Sequence, residues 1–125
     1  MRIAAFLACR SIMTEPMGYV SLARVGTQRL AVKFPTQVPI GMYACLIAEP
    51  NDKPGEYEVL ISIAGAFTDR ENPLRRTISV NDRSPIHHVM GDIEINATAP
   101  TEVVISITVP VFGISSSWSV QLVGR

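Results

Sequence analysis

The sequence has few charged residues and no excess of positive or negative charge. These two features limit the kinds of partner that the protein can bind. Charged residues make up 18% of the 125 residues, whereas an average soluble domain has about 25%. Lysine plus arginine and aspartate plus glutamate number 11 each, so the formal net charge is zero. Because nucleic-acid binding by long-range attraction needs a basic domain, we predict no nucleic-acid partner. A low net charge also leaves self-association unopposed by repulsion.

Long apolar runs and cysteines are also scarce. No run approaches the roughly 18 apolar residues of a membrane-spanning helix, so we predict no membrane partner. The apolar stretch from Ile3 to Cys9 is interrupted by Arg10, which favours a first strand over a signal sequence. Cys9 and Cys45 lie in apolar runs, and a secreted scaffold of this size usually has more cysteines. We therefore expect two buried thiols in a cytoplasmic protein, although the thiols could pair if their strands were neighbours.

The sequence has almost no pattern that predicts a helix, and it has several that predict strands. Nine prolines cut the chain into pieces of strand length. The pieces between them are rich in Val, Ile, Thr and aromatic residues, and several alternate apolar with polar positions. Apolar residues make up 47% of the chain, which is enough for a core. The predicted strands cover residues 3–12, 19–25 continuing to 30–34, 41–48, 56–64, 76–80, 91–97, 102–109 and 117–123.

Two polar turn clusters predict how some of these strands connect. The turn at residues 49–55, which ends in Pro54-Gly55, predicts a hairpin between strands 41–48 and 56–64. The turn at Ala99-Pro100-Thr101 predicts a second pair, between strands 91–97 and 102–109. Residues 113–116 are expected to form a loop before the last strand. The pattern is typical of an all-β fold, an antiparallel β-sandwich of about eight strands, with residues 1–125 as a single domain.

Two predicted strands are apolar on both faces. They run from Ile3 to Cys9 and from Gly41 to Ala48. A two-layer sandwich wets one face of each sheet, so these strands need additional cover. The cover could come from a loop at residues 35–39, from another subunit or from a partner protein.

The candidate catalytic and metal-binding residues are few. His87 and His88 are adjacent, so on a strand they point to opposite faces and cannot easily share one metal ion. Zinc ligands usually come in closely spaced pairs, whereas Cys9 and Cys45 are far apart in sequence. The aspartates that could bind calcium are scattered, and serines 115–117 have no partner base. We predict no cofactor, no metal and no enzymatic activity, with a small enzyme using His87 or His88 with Asp92 as the weaker alternative.

Four arginines are the best candidates for a polar contact with a partner. They surround one charged loop and could bind a phosphate or carboxylate. Asp69, Glu71 and Asp82 are interleaved with them, so a solvated loop of mixed charge is the competing interpretation. The candidate contact residues are Arg70, Arg75, Arg76 and Arg83.

The order of motifs resembles an uncharacterised bacterial family of small single-domain β proteins. The likeness covers nearly the whole chain: a first strand and Gly18 turn within residues 6–25, Phe34-Pro35, Pro39, the stretch Gly55–Val59 and a late apolar hairpin. The sequence departs from that pattern at Ala99-Pro100-Thr101, where a Pro-Gly turn would be expected. The resemblance implies a β-sandwich and a bacterial origin, and no activity.

Together these features predict a non-enzymatic protein-binding or assembly module that acts through a protein–protein surface. The alternative is a structural subunit of a homo-oligomeric assembly, viral or tail-like in kind.

Overall fold

Ten strands build two packed β-sheets and a small ribbon. The computed structural model describes residues 1–16, 19–68 and 71–125. A 3-10 turn, Pro110–Phe112, lies before the last strand. The strands are β1 (Arg2–Cys9), β2 (Ser11–Thr14), β3 (Val20–Ala23), β4 (Arg29–Val32), β5 (Thr36–Ile47), β6 (Gly55–Ala64), β7 (Leu74–Val80), β8 (Ile86–Ala97), β9 (Thr101–Val109) and β10 (Ile114–Gly124).

The sheets confirm the predicted all-β sandwich and change its details. One sheet has the order β1-β5-β8, the other has the order β4-β10-β9-β6-β7, and β2 and β3 form the ribbon. The strands number ten rather than eight because the predicted first strand breaks at Arg10 and the second breaks after Ala23. The pairs are antiparallel except for β4 and β10, which run parallel.

Both predicted hairpins are wrong. Strand β5 pairs with β1 and β8, whereas β6 pairs with β7 and β9. Strands β8 and β9 are likewise in different sheets. A polar turn shows that the chain reverses, but it does not decide whether the next strand pairs with the last one or crosses to the facing sheet. Sequential strands are neighbours only about two-thirds of the time.

Two predicted loops are also strands. Residues 36–39 form the first part of β5 and pair with the end of β8, so they extend the sheet instead of covering it. Ser115, Ser116 and Ser117 pair with Thr108, Ile107 and Ser106 of β9. The reversal before β10 lies earlier, at the 3-10 turn, where Gly113 adopts a left-handed φ of 63°. That conformation favours glycine, so the turn needs no further residues.

The core lies between the facing sheets and confirms the predicted alternation. The inward positions of β6 and β9 are buried, while Ser106 and Thr108 on β9 face outward. Burial of such side chains stabilises the folded state by about 25 cal/mol for each Å² of apolar surface that is removed from water. The core residues with no exposed surface include Ile40, Ala44, Leu46, Val59, Ile95, Val103, Ile105, Ile107, Val109 and Val120.

Candidate functional site

The outer face of the three-stranded sheet is largely apolar. The strand register aligns its side chains in rows across the sheet: Leu7, Tyr43 and Met90 form one row, and Ala5, Cys45 and His88 form the next. Arg2, Ile47 and Ile86 form the following row. Ile86 is 50% exposed. We call this surface the outer apolar face; its members are Ala5, Leu7, Tyr43, Cys45, Ile47, Ile86 and Met90.

The β2–β3 ribbon covers only one end of that sheet. Cys9 and Gly41 are paired neighbours there, and a Cβ on Gly41 would stand 2.8 Å from the Cys9 Sγ and 3.3 Å from Ile12 of β2. Cys9 is fully buried as a result. Burial raises the pKa of the Cys9 thiol, and the Asp92 carboxylate raises it further. The sequence predicts that this face needs additional cover, and the β2–β3 ribbon of the chain itself supplies part of it.

A tyrosine and a histidine lie together in the middle of the outer apolar face. The Tyr43 hydroxyl lies 2.6 Å from Nδ1 of His88. Their rings stack with centroids 5.7 Å apart. Partial burial raises the pKa of Tyr43, and the neighbouring Cys45 thiol raises it further. The hydrogen bond holds a neutral phenol against the imidazole, so this pair is a flat, polar-tipped contact point within an apolar surface.

The two histidines lie on opposite faces of β8, as expected from their adjacency. His88 stands opposite Cys45 on the outer face, whereas His87 stands opposite Leu46. The Nε2 atom of His87 is buried and has no hydrogen-bond partner within the described residues. Asp92 is four residues from His88 along the strand, a distance of about 13 Å at roughly 3.3 Å per residue, so the histidine–aspartate pair of the enzyme hypothesis is not assembled.

The two cysteines are on neighbouring strands but out of register. Cys9 pairs with Gly41, and Cys45 pairs with Ala5, so the cysteines stand four residues apart along the sheet. At about 3.3 Å per residue, their separation far exceeds the span of a disulfide. Both are free thiols, with Cys9 buried and Cys45 half-buried.

The outward edge of β8 is open. Asn96 exchanges two backbone hydrogen bonds with Phe67, at 2.8 and 3.0 Å, on the side away from β5. Pro85 instead bonds Ala48, on the β5 side. Backbone groups alternate direction along an antiparallel strand. The N–H and C=O groups of His88, Met90, Asp92 and Glu94 therefore point away from β5, and no strand of the described residues pairs with them.

Of the four predicted contact arginines, the three that lie in the described residues do not form one patch. Arg75 pairs with Glu58 at 2.7 Å and approaches Glu71 at 3.8 Å. Arg76 points the other way, and its guanidinium lies 3.5 Å from where a Cβ on Gly91 would stand. Arg83 lies in the turn after β7, where its N–H donates to Asn81 at 2.9 Å. Arg70 lies outside the described residues.

The carboxylates of the turns are occupied by local partners. Glu49 and Asp52 line a pocket of about 340 Å³ together with Asp82. The Asp52 carboxylate accepts from the Met1 amino group at 2.7 Å, and this bond lowers the pKa of Asp52. Glu49 approaches Arg2 at 3.6 Å. Across residues 1–16, 19–68 and 71–125, no group of three possible metal-ligating side chains gathers in one place.

Comparisons with known proteins add no assignment. A scan of protein-family models gives no match to the chain, and a search of the curated proteins gives none. The resemblance to an uncharacterised bacterial family therefore stays a prediction. Among the described residues, no helix has the length and apolar character needed to cross a membrane.

Proposed function

We propose that the chain is a non-enzymatic assembly module that associates with a second copy of itself through the three-stranded sheet. The observation that carries the proposal is the edge of β8 from His88 to Glu94, which no strand of the described residues covers. An unpaired strand edge is a template for another strand, because its backbone donors and acceptors are already aligned. The first part of that edge, at His88 and Met90, borders the outer apolar face, so side chains as well as backbone groups are available for contact there.

The polar residues on the outer side of β8 suit antiparallel pairing with an identical strand. His88 lies in the first half of the strand, and Asp92 and Glu94 lie in the second half. A pair centred on Gly91 places His88 opposite the partner's Glu94 and Met90 opposite the partner's Asp92. All four residues have outward backbone groups, so each opposed pair exchanges two hydrogen bonds. Centring the pair on Asp92 would oppose two aspartates, which is unfavourable.

The surface area of the chain supports an uncovered contact. The chain exposes 7338 Å² at a mass of 13.6 kDa. A compact monomer of this mass exposes about 6,600 Å². A formal net charge of zero also leaves two copies without long-range repulsion.

Larger assembly is the second candidate function, and the outer apolar face favours it. Edge pairing of two β8 strands makes one six-stranded sheet and joins two outer apolar faces into one surface. Packing of two such surfaces would bury both and give a closed tetramer with two-fold axes. The predicted cytoplasmic location belongs to the same proposal, and the two free thiols support it.

Analytical ultracentrifugation tests the proposal with two substitutions at one position. Met90→Pro removes a backbone donor that points away from β5, so it weakens the edge contact without removing a bond inside the sheet. Met90→Leu keeps the donor and an apolar side chain, and it is the matched control. We expect the wild type and Met90→Leu to form the same even-numbered oligomer and Met90→Pro to be monomeric, with urea unfolding confirming that each variant is folded.

A wild type that stays monomeric at the highest attainable concentration overturns self-association. An oligomer that survives in folded Met90→Pro overturns the assignment to β8. A dimer favours the edge contact alone, and a tetramer favours the edge together with the outer apolar face.

A further inference from the structure

Three arginines that are distant in sequence line one pocket at the opposite edge of the three-stranded sheet. Arg10 follows β1, Arg24 lies in the turn after β3, and Arg29 begins β4. The pocket has a volume of about 250 Å³, and its remaining lining residues are Val25, Thr27 and Leu30. This site is separate from the β8 edge, because β1 and β8 are the two outer strands of that sheet.

Backbone hydrogen bonds hold the turn of residues 24–27 against the end of β1. The N–H groups of Gly26 and Thr27 both donate to the Ala8 carbonyl, at 2.9 and 3.1 Å. Arg10 donates its N–H to the Ala23 carbonyl at 2.8 Å. The indole N–H of Trp118 donates to the Thr27 carbonyl at 2.6 Å. The backbone under the three arginines is therefore fixed before any ligand arrives.

Arg24 has a backbone conformation that is unusual for a residue with a side chain. Its φ is 52°, in the left-handed region, and it is the only non-glycine residue of the described chain with a positive φ. The Thr27 hydroxyl donates to the Arg24 carbonyl at 2.9 Å and holds this conformation. Residues held in sparsely populated conformations cluster at ligand sites, because other contacts must offset the strain. Here the conformation places Arg24 at the rim of the pocket.

The pocket has an uncompensated positive charge. No carboxylate of residues 1–16, 19–68 or 71–125 lines it, and none of the ion pairs found among these residues involves Arg10, Arg24 or Arg29. Arg10 is half-buried, and its Nη1 atom is buried without an acceptor in the described part of the chain. Burying a guanidinium nitrogen without an acceptor is unfavourable. An anion in the pocket would balance the charge of Arg10 through the part of its side chain that lines the pocket.

We propose that this pocket binds the phosphoryl group of a small phosphomonoester. Guanidinium groups match phosphate oxygens with pairs of hydrogen bonds, and three of them suit a dianion better than a single carboxylate. The pocket also has an apolar part, formed by Val25 and Leu30, that can contact the organic group of the ester. The expected ligand is thus a doubly charged phosphoryl group that is attached to an apolar organic group.

Titration calorimetry with inorganic phosphate and with phenyl phosphate tests the site. We expect saturable binding of both anions, with phenyl phosphate binding several-fold more tightly because its ring contacts Val25 and Leu30. Arg10→Gln should weaken both by at least about tenfold, since a hydrogen bond to a charged group contributes on the order of 1.5–3 kcal/mol. Arg29→Gln, at an exposed position, should also weaken both and serves if Arg10→Gln fails to fold.

Arg75→Gln is the matched control, because Arg75 already pairs with Glu58 and lies in the other sheet. An equal loss in Arg75→Gln, or no saturable binding to the wild type, overturns the site. Equal affinity for both anions overturns the ester part of the proposal. Vesicles of phosphatidylcholine with and without phosphatidic acid distinguish the sources: sedimentation that needs both phosphatidic acid and Arg10 identifies a lipid headgroup, and binding of soluble esters alone identifies a small molecule.

Discussion

The two sheets face water with different surfaces. The outer side of the five-stranded sheet is polar, with Ser62, Ser106 and Ser117 aligned in one row across three strands. The outer side of the three-stranded sheet has instead the row Leu7, Tyr43 and Met90 across its three strands. Both sheets contribute an apolar inner face to the same core. The polar surface is suited to water, and the outer apolar face is suited to another protein surface.

The largest expected change in stability comes from a substitution on the inner side of the five-stranded sheet, compared with one on its outer side. Ile105 has no exposed surface, and its neighbour Ser106 faces outward. Ile105→Ala leaves a cavity in the core and should lower the free energy of unfolding by about 2–5 kcal/mol. Ser106→Ala should change it by less than about 0.5 kcal/mol. Urea unfolding measures both, and similar effects of the two substitutions would contradict the assignment of the faces.

A second substitution tests the covered end of the three-stranded sheet. A Cβ on Gly41 would meet the Cys9 Sγ at 2.8 Å and the Cys9 carbonyl oxygen at 3.1 Å. Gly41→Ala should therefore lower the free energy of unfolding by about 1–3 kcal/mol through overpacking. Gly124→Ala is the control, because a Cβ at Gly124 would have nothing within 4 Å. A stability for Gly41→Ala equal to that of the control would show that β2 does not lie on this face.

A smaller effect concerns the pH dependence of stability. Burial raises the pKa of Cys9 in the folded state, and the Asp92 carboxylate adds to the shift. The unfolded thiol ionises at roughly pH 8.5. The unfolded state therefore loses its proton first, so the contribution of Cys9 to stability is complete below that pH and is lost as the pH rises.

Urea unfolding between pH 7 and pH 10 should show a decline in stability that is shallower in Cys9→Ala. Tyr43 has a raised pKa for the same main reason, its burial, and adds to the decline at higher pH in both proteins. Identical slopes in the wild type and in Cys9→Ala would contradict a buried, neutral thiol.

The sequence predicts local structure better than it predicts connections. The alternation in β6, in the second half of β8 and in β9 predicts both the strands and their inward residues, because the period of two follows directly from strand geometry. Strand β8 begins at Ile86, five residues before the predicted start at Gly91. The pairing of β5 with β8 was missed, since it joins segments separated by the whole of β6 and β7. The strand signals at residues 41–48 were right, and the β2–β3 ribbon covers one end of the outer face, while cover of the rest stays a prediction.

The candidate sites depend on those distant connections, so the sequence shows less of them. Tyr43 meets His88 only because β5 and β8 are neighbours. Arg10 and Arg29 meet only because the turn after β3 bonds to the end of β1. The predicted arginine cluster groups residues that are close in sequence. Neighbouring residues on a strand point to opposite faces, so Arg75 and Arg76 lie on opposite sides of β7.

Disulfide trapping at the centre of β8 tests the central claim most directly. In the proposed pair, Gly91 faces the partner's Gly91 at a non-hydrogen-bonded position, where Cα atoms lie about 4.5 Å apart, within reach of a disulfide. Gly91→Cys combined with Cys45→Ser should form a covalent dimer under mild oxidation, and Gly124→Cys combined with Cys45→Ser should not. Crosslinking at position 91 that is no faster than at position 124 would contradict pairing through β8.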